Sequence, residues 1–353
     1  MAFSALKLRA GPAALAQIRR DGMVPETFSV MAGASGGPKW LVLSQLDRVL
    51  APWILANRES PLFLLGSSIG AWRFACVAQA DPVEAIVRFE EAYIGQRYDR
   101  RPSAQEVTAR SREILEVVLG EHGASDILTS PLARLNVMTA RSRRVTASDA
   151  RPALLAGLAI SALANAANRR LLGWFYVRSL FSDPRDEPPF AAMSGLPLER
   201  AALTERNLGK AILATGSIPL VLEGVRDIDG AARGTYRDGG IIDYHFDVEL
   251  SGGRGLVCYP HFYGHIVPGW FDKALKNRRG RASLERTVLI HPSPEFVAGL
   301  PNGKIPDRKD FETMGNDDRI RCWRRVVAEC ERLAETFEEW RVRGQLVARV
   351  EPL

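Results

Sequence analysis

Hydrophobic positions along the chain alternate between short continuous runs and runs with helical spacing, which is typical of α/β proteins. Residues 26–32 predict a strand, and after a glycine-rich turn residues 41–50 carry apolar side chains at helical spacing. Residues 62–65 form a second apolar run, which is followed by a tight turn and the helix-compatible residues 71–76. This pattern predicts an α/β fold with a mainly parallel central sheet.

Two longer stretches are predicted to be helices. Residues 317–343 carry an apolar stripe that predicts an amphipathic helix packed over the sheet: Ile320, Trp323, Val327, Cys330, Leu333, Phe337 and Trp340. Residues 152–167 are the most apolar segment, although Asn165 interrupts them. Because the segment is shorter than the roughly 20 residues that span a membrane, we expect a buried helix beside the site. A lid or a wall for an acyl chain is the alternative.

The second apolar run ends at a Gly-x-Ser-x-Gly motif, residues 66–70, with Ser68 at its centre. Strand, sharp turn and helix is the order that a nucleophile elbow requires. Gly66 and Gly70 allow the backbone to turn without Cβ clashes. The start of the helix adds partial positive charge where an oxyanion would form. Ser68 is therefore the candidate nucleophile, and an ordinary strand-to-helix turn is the alternative.

A second glycine-rich turn, residues 33–40, precedes the elbow and contains Gly36 and Gly37. Pro38 suits the first position of the helix that follows. Such a turn exposes backbone N–H groups that can hold an anion, here an acyl oxyanion. A phosphate-binding P-loop is excluded because Pro38 stands where glycine precedes the lysine and because Trp40 cannot bind Mg²⁺. A tight turn without a ligand is the alternative.

The third motif is Asp238-Gly239-Gly240, at the end of a short strand. A carboxylate followed by two glycines can approach a partner group closely because no bulky side chain follows it. Taken alone, an Asp-Gly-Gly sequence most often forms only a turn.

The ordered motifs resemble those of the patatin-like phospholipase family. That family has an oxyanion loop, Gly-Gly-Gly-x-Lys/Arg-Gly, which residues 35–40 resemble with Ser35 for the first glycine and Trp40 for the last. Lys39 occupies the basic position of this loop. The family's Gly-x-Ser-x-Gly motif matches residues 66–70 throughout.

The later part of the chain extends the resemblance. The family's catalytic Asp-Gly-Gly/Ala matches residues 238–240, and residues 214–219 are similar to the small-residue segment before that strand. The resemblance covers about residues 26–80 and 200–245. The family usually continues with an Asn-Pro-containing loop, whereas residues 243–246 here are Asp-Tyr-His-Phe, which leaves the pocket wall and the substrate open.

The resemblance implies a three-layer α/β/α fold in a single domain, with a variable inserted segment at about 100–200. It also implies a serine lipid acyl hydrolase of the phospholipase A, lysophospholipase or esterase type, using a Ser68–Asp238 dyad. Asp238 would take the Ser68 proton directly as the hydroxyl attacks an ester carbonyl. Backbone N–H groups around Gly36, Gly37 and Ile69 would stabilise the oxyanion, each by about 3–4 kcal/mol.

A Ser–His–Asp triad is the rival arrangement. The order Ser68, Asp238, His291 matches that of α/β-hydrolases, and His291 follows a predicted strand, residues 287–290. The glycine loop lies too close before the serine for that fold, and the two glycines after Asp238 would be unexplained. A non-catalytic lipid-binding protein on the same fold and acyl transfer to an acceptor other than water are further alternatives.

Composition agrees with a globular enzyme, since 46% of the 353 residues are hydrophobic and 25% are charged. No signal-like apolar segment is found in residues 1–22, and the four cysteines form no Cys-x-x-Cys pair. Both features favour the cytoplasm. No histidine, cysteine and carboxylate cluster has metal-ligand spacing. We therefore expect neither a metal nor a cofactor.

The net charge of +6 is modest, and no motif for nucleic-acid binding is present. The densest basic cluster follows Trp270 and Phe271 and comprises Lys273, Lys276, Arg278, Arg279 and Arg281. Aromatic residues beside basic ones suit peripheral docking on an anionic membrane. A solvated basic helix end is the alternative. The expected partner is a lipid or acyl-ester substrate, and the sequence does not predict the oligomeric state.

Overall fold

The centre of the protein, seen in a computed structural model that describes residues 4–280 and 284–353, is a mixed and mostly parallel β-sheet. Its strands run along one path in the order β11-β1-β10-β9-β2-β3-β4-β5-β6, and β8 pairs with both β4 and β7. The strands are β1 Leu6–Ala10, β2 Phe28–Gly33, β3 Leu62–Ser67, β4 Ala133–Ser142, β5 Tyr176–Ser182, β6 Leu198–Ala202, β7 Val225–Arg226, β8 Thr235–Asp238, β9 Leu256–Pro260, β10 Thr287–Pro292 and β11 Val350–Pro352.

Helices connect these strands and pack against the sheet and against one another. The α-helices are α1 Pro12–Asp21, α2 Ser44–Leu55, α3 Ile69–Val77, α4 Pro82–Ile94, α5 Ala104–Leu119, α6 Gly123–Thr129, α7 Arg151–Ala167, α8 Glu205–Thr215, α9 Pro294–Gly299, α10 Asp310–Thr313, α11 Asn316–Glu329, α12 Glu331–Val342 and α13 Leu346–Arg349. Short 3₁₀ helices occupy Pro25–Thr27, Gly37–Val42, Arg144–Ala147, Arg169–Trp174, Gly239–Ile241, Trp270–Asp272, Lys276–Arg278 and Pro301–Gly303.

The predicted mainly parallel α/β architecture is confirmed at this level. Strands β9, β2, β3 and β4 are consecutive parallel neighbours, and each is buried along nearly its whole length. Near-continuous apolar runs suit such strands because helices cover both of their faces. The segment at about 100–200 contributes β4 and β5 to this sheet.

The predicted C-terminal helix is divided at Cys330 into α11 and α12. Its apolar stripe is buried, as predicted, but the two helices pack mainly on α2, the 3₁₀ helix Gly37–Val42 and α4 rather than over the sheet, because these helices lie between them and most of the strands. The rings of Phe337 and Trp53 meet edge to face, with centroids 5.2 Å apart, and Trp323 stacks near Tyr93.

The predicted helix at 152–167 is present as α7, but the expectation that it is buried is wrong. Only one side of α7, including Leu154, Leu158 and Ser161, packs against the protein. Leu163 is 72% exposed. Within the described ranges, no helix combines the length and apolar character needed to cross a bilayer.

Candidate active site

Ser68 lies in a strained turn between β3 and α3. Its φ of +54° and ψ of −131° are values that L-residues rarely adopt. A Cβ added to Gly70 would lie 2.1 Å from the carbonyl oxygen of Gly33, and one added to Gly66 would lie 2.3 Å from the backbone of Ala71. Both glycines are therefore required by close backbone contact, and together they permit the sharp elbow that the motif predicts.

The structure brings Ser68 and Asp238 together. The Ser68 hydroxyl donates a hydrogen bond of 2.7 Å to Oδ2 of Asp238, across 170 residues of sequence. Strand β4 explains this proximity. Its residue Met138 pairs with Ser67 at the end of β3, and the next residue, Thr139, pairs with Asp238 at the end of β8. Because β3 runs parallel and β8 antiparallel to β4, their C-terminal ends meet at this point.

Asp238 is held on both sides and is almost fully buried. Its Oδ1 accepts a hydrogen bond of 2.7 Å from the Gly240 amide, and its own amide donates to the Ser217 carbonyl at 3.0 Å. Burial raises the pKa of Asp238 to about 6, although the hydrogen bonds from Ser68 and Gly240 and the nearby charge of Arg308 oppose the shift. A carboxylate with this pKa is suited to accept a proton near neutral pH.

Thr215 fixes the elbow and was not singled out by the sequence. The Ser68 amide donates to Oγ1 of Thr215 at 2.8 Å, and the Thr215 hydroxyl donates in turn to the Met138 carbonyl. The threonine therefore links the strained turn to β4. It lies in the small-residue segment at 214–219. In the sequence, the resemblance of this segment to the patatin-like family is the one signal that could have pointed to Thr215.

The glycine loop lies beside the Ser68 hydroxyl. Gly36 and Gly37 line the same cleft as Ser68, and Gly37 has a φ of +55°, which favours glycine. Gly37 and Ile69 are the first residues of a 3₁₀ helix and of α3, so their amides have no acceptor within those helices. The Ser35 hydroxyl, before Gly36, donates to the Ser67 hydroxyl at 3.0 Å.

A cleft of about 220 Å³ opens above the dyad. Its walls combine backbone, apolar side chains and cations: Ser35, Gly36, Gly37, Lys39, Ser68, Ile218, Pro219, Asp238, Gly240, Ile241, Tyr244, Trp270, Lys273, Asp307, Arg308 and Lys309. Arg308 and Lys309 come from the loop before α10, which sequence motifs did not indicate.

The cleft carries an excess of positive charge. Four cations line the cleft, Lys39, Lys273, Arg308 and Lys309, but only two carboxylates do, Asp238 and Asp307. One of these carboxylates, Asp307, is already paired with Lys304, at 3.3 Å. Among the described residues, none of the four cations forms an ion pair within 4.0 Å.

The nearby cations also affect one another. Burial lowers the pKa of Lys39. Burial and then repulsion from Arg308 and Lys39 lower the pKa of Lys273. Lys273 Nζ lies 4.0 Å from the ring centroid of Tyr244, a cation–π contact. Unpaired cations beside a candidate nucleophile suit a substrate with an anionic group.

The residues after Asp238-Gly-Gly form a buried anchor in place of an Asn-Pro loop. Arg178 of β5 donates to both carboxylate oxygens of Asp243, at 2.7 and 2.8 Å. The Asp243 amide donates to the Gly239 carbonyl at 2.9 Å. Tyr244 then lines the cleft, and its carbonyl accepts from the Ser35 amide at 2.8 Å. This segment therefore joins the Asp238 turn to the glycine loop.

The structure does not bring His291 to the cleft. It lies in β10 opposite Lys7, three strand positions from β3, or about 14 Å at the usual strand spacing. Its Nδ1 lies 2.9 Å from the Pro292 carbonyl oxygen. The rival Ser–His–Asp triad therefore lacks its histidine, and the Ser68 hydroxyl bonds directly to Asp238.

Two described members of the basic cluster after Phe271 have different surroundings. Lys273 lines the cleft, whereas Arg278 donates to the Ala166 carbonyl at the end of α7, at 2.8 Å. Arg281 and the side chain of Lys276 lie outside the described part of the structure.

Comparison of the chain with protein-family models and with curated proteins finds no match. The candidate site therefore rests on its own geometry.

Proposed function

We propose that the protein is a serine acyl-ester hydrolase in which Ser68 is the nucleophile and Asp238 the base. The observation that carries this proposal is the 2.7 Å hydrogen bond from the Ser68 hydroxyl to the Asp238 carboxylate, at a strained elbow that opens into a cleft. A buried carboxylate and a hydroxyl in direct contact form the minimum pair for activating an oxygen nucleophile.

The reaction has two steps. Asp238 accepts the Ser68 proton while Oγ attacks the ester carbonyl, and the amides of Gly36, Gly37 and Ile69 stabilise the resulting oxyanion. Collapse of the intermediate breaks the ester bond, and the alcohol leaves with the proton from Asp238. Water then gives its proton to Asp238 and attacks acyl-Ser68, which releases the fatty acid and returns the proton to Ser68.

The charge of the cleft supports a lipid ester with an anionic head group, as in phospholipids and lysophospholipids. Lys273 and Arg308 have no carboxylate partner among the described residues, and both influence the pKa of Asp238. A substrate phosphate would neutralise them. Ile218, Ile241 and Trp270 add apolar walls, which suit part of an acyl chain.

We further propose that the fold is the three-layer α/β/α fold of the patatin-like family and that the protein acts in the cytoplasm. The order of the glycine loop, the elbow and Asp-Gly-Gly supports the first proposal. Three buried cysteines without disulfides, Cys76, Cys258 and Cys330, support the second.

Hydrolysis of a chromogenic medium-chain acyl ester tests the proposal. Ser68→Ala and Asp238→Asn should each lower kcat by at least about 10³-fold, whereas Ser125→Ala, on α6, should retain wild-type activity. A fluorophosphonate should label the protein, and peptide mass spectrometry should place the adduct on Ser68 rather than on Ser67. Full activity in either dyad variant would refute the proposal.

A non-catalytic lipid-binding protein would bind lipid without turnover or labelling. Acyl transfer uses the same dyad, and addition of an alcohol or lysolipid acceptor distinguishes it, because an acylated acceptor would then form in place of free fatty acid.

A further inference from the structure

One side of α7 is apolar and open to solvent. Every exposed residue from 152 to 167 is alanine, leucine, isoleucine or proline. Leu155, Ile160 and Leu163 are 46%, 47% and 72% exposed. At 100° per residue these exposed positions form one continuous half of the helix, and the buried positions form the other half. The exposed half of the helix therefore carries only apolar side chains, although it faces solvent.

The segment after the helix also exposes apolar side chains. The 3₁₀ helix Arg169–Trp174 follows directly and packs against α7, and in it Leu171 is 38% and Trp174 is 64% exposed. We call Leu155, Ile160, Leu163, Leu171 and Trp174 the α7 patch. Several large apolar side chains exposed on one helix face and on the segment that follows it typically mark a place where another apolar phase is bound.

The charges around the α7 patch are positive. Arg144, Arg151 and Arg170 are exposed at its edges, and the Arg144 guanidinium lies 5.8 Å from the ring centroid of Trp174. Asp149 is the one acidic residue in residues 143–174, and it is paired with Arg237 at 2.6 Å. Apolar residues bordered by arginines complement an anionic lipid surface.

The buried side of α7, opposite the α7 patch, contacts the rim of the cleft. Asn165 of α7 donates to Oδ1 of Asp272 at 2.7 Å, and Arg169 donates to Oδ2 at 2.9 Å. Asp272 lies within the short helix Trp270–Asp272, and Trp270 and Lys273 line the cleft. The helix that carries the patch therefore packs, through its buried side, on the rim of the opening above Ser68.

We propose that the α7 patch docks the protein on an anionic phospholipid bilayer. Leu155, Ile160, Leu163 and Trp174 enter the boundary between head groups and acyl chains, and the arginines contact lipid phosphates. Docking does not depend on the proposed hydrolase activity. A symmetric dimer through the same patch would bring the arginines of two copies together, and like charges disfavour that arrangement.

Vesicle co-sedimentation of the full chain tests the proposal. Wild-type protein should bind vesicles in which a third of the phosphatidylcholine is replaced by phosphatidylglycerol, and added salt should weaken the binding. Leu155→Glu with Leu163→Glu should lower the partition coefficient by about ten-fold or more. The matched control is Val117→Glu with Val342→Glu, at two valines that are 48% and 74% exposed on other helices, and it should bind like the wild type.

Further variants separate the contributions. Leu155→Ser with Leu163→Ser removes the apolar contact without adding charge and should still weaken binding. Arg144→Gln and Arg170→Gln should each lower it by about five-fold at low ionic strength. Ser68→Ala should bind normally, so loss of hydrolysis and loss of docking are separable. Three results would overturn the proposal. The valine control could lose as much binding as Leu155→Glu with Leu163→Glu, or the wild type could fail to bind the vesicles. The third is a stable dimer that Leu155→Glu with Leu163→Glu dissociates.

Discussion

Arg178 holds Asp243 through two parallel hydrogen bonds in a fully buried pair, five residues after the catalytic-base candidate Asp238. Arg178→Met should leave the buried Asp243 carboxylate with only the more distant Arg169, at 4.0 Å, and breaking such a buried pair typically costs about 3–5 kcal/mol of stability. It should also loosen the Asp238 turn and lower kcat. Urea denaturation measures the first effect and ester hydrolysis the second.

The control for this prediction is the exposed pair Arg321–Asp318, whose side chains are both 71% exposed. Arg321→Met should change stability by at most about 1 kcal/mol. Arg178→Met together with Asp243→Leu should regain much of the lost stability, because no unpaired charge then stays buried. If the single variant is as stable as the wild type, the pair does not anchor this turn.

Activity should fall in acid as Asp238 is protonated. Its pKa is raised to about 6, and only the ionised carboxylate can accept the Ser68 proton. The value of kcat/KM should therefore lose about ten-fold per pH unit below that pKa. A pH–rate profile of the free enzyme measures this. An acid limb centred near pH 4, the ordinary value for aspartate, would contradict the assignment.

Ionised Asp238 should lower the stability of the folded state. A carboxyl whose pKa rises on folding contributes stability that is fully present below its unfolded value of 3.8 and lost as the pH rises through about 6. Asp238→Asn should therefore raise Tm at pH 8 while abolishing hydrolysis. Near pH 4 the two proteins should melt at more similar temperatures, and a lower Tm for the variant at pH 8 would contradict this account.

Lys273 and Arg308 should affect both the base and the substrate. Both cations lower the pKa of Asp238, so Lys273→Gln and Arg308→Gln should each move the acid limb of the pH profile upward. Both variants should also lose preference for anionic esters over neutral esters of equal chain length. Lys210→Gln, at an exposed position of α8, is the control. An unchanged pH limb and an unchanged preference would show that the cleft charges do not act on the reaction.

Thr215→Val should slow the chemical step. The Ser68 amide would lose its acceptor in a buried, strained turn, which corresponds to about 1–3 kcal/mol. We expect kcat and the rate of fluorophosphonate labelling to fall by about ten-fold or more, with little change in KM. Thr215→Ser keeps the hydroxyl and should restore most of the activity. A change confined to KM would indicate a role in substrate binding.

The strand–turn–helix at Ser68 was predictable because its requirements are local. Backbone atoms lie so close to Gly66 and Gly70 that a side chain at either position would clash. The two glycines of the Gly-x-Ser-x-Gly motif therefore indicate this turn directly from the sequence. The helical segments at 152–167 and 317–343 were predictable from spacing for the same reason. Spacing could not predict the division at Cys330 or the exposure of α7, because burial depends on which other elements pack on a helix.

By itself, the sequence determined which hydroxyl lies at an elbow and which carboxylate ends a strand before two glycines, since both depend on short-range backbone geometry. Only the tertiary structure decided that the hydroxyl and the carboxylate meet. Strands β3 and β8 both pair with β4, and their C-terminal ends lie at adjacent residues of β4. It also decided which cations converge on the cleft, since Lys39, Lys273 and Arg308 come from three segments that are far apart in the sequence. The pKa of Asp238 follows from that packing, because desolvation and neighbouring charge are properties of the folded chain.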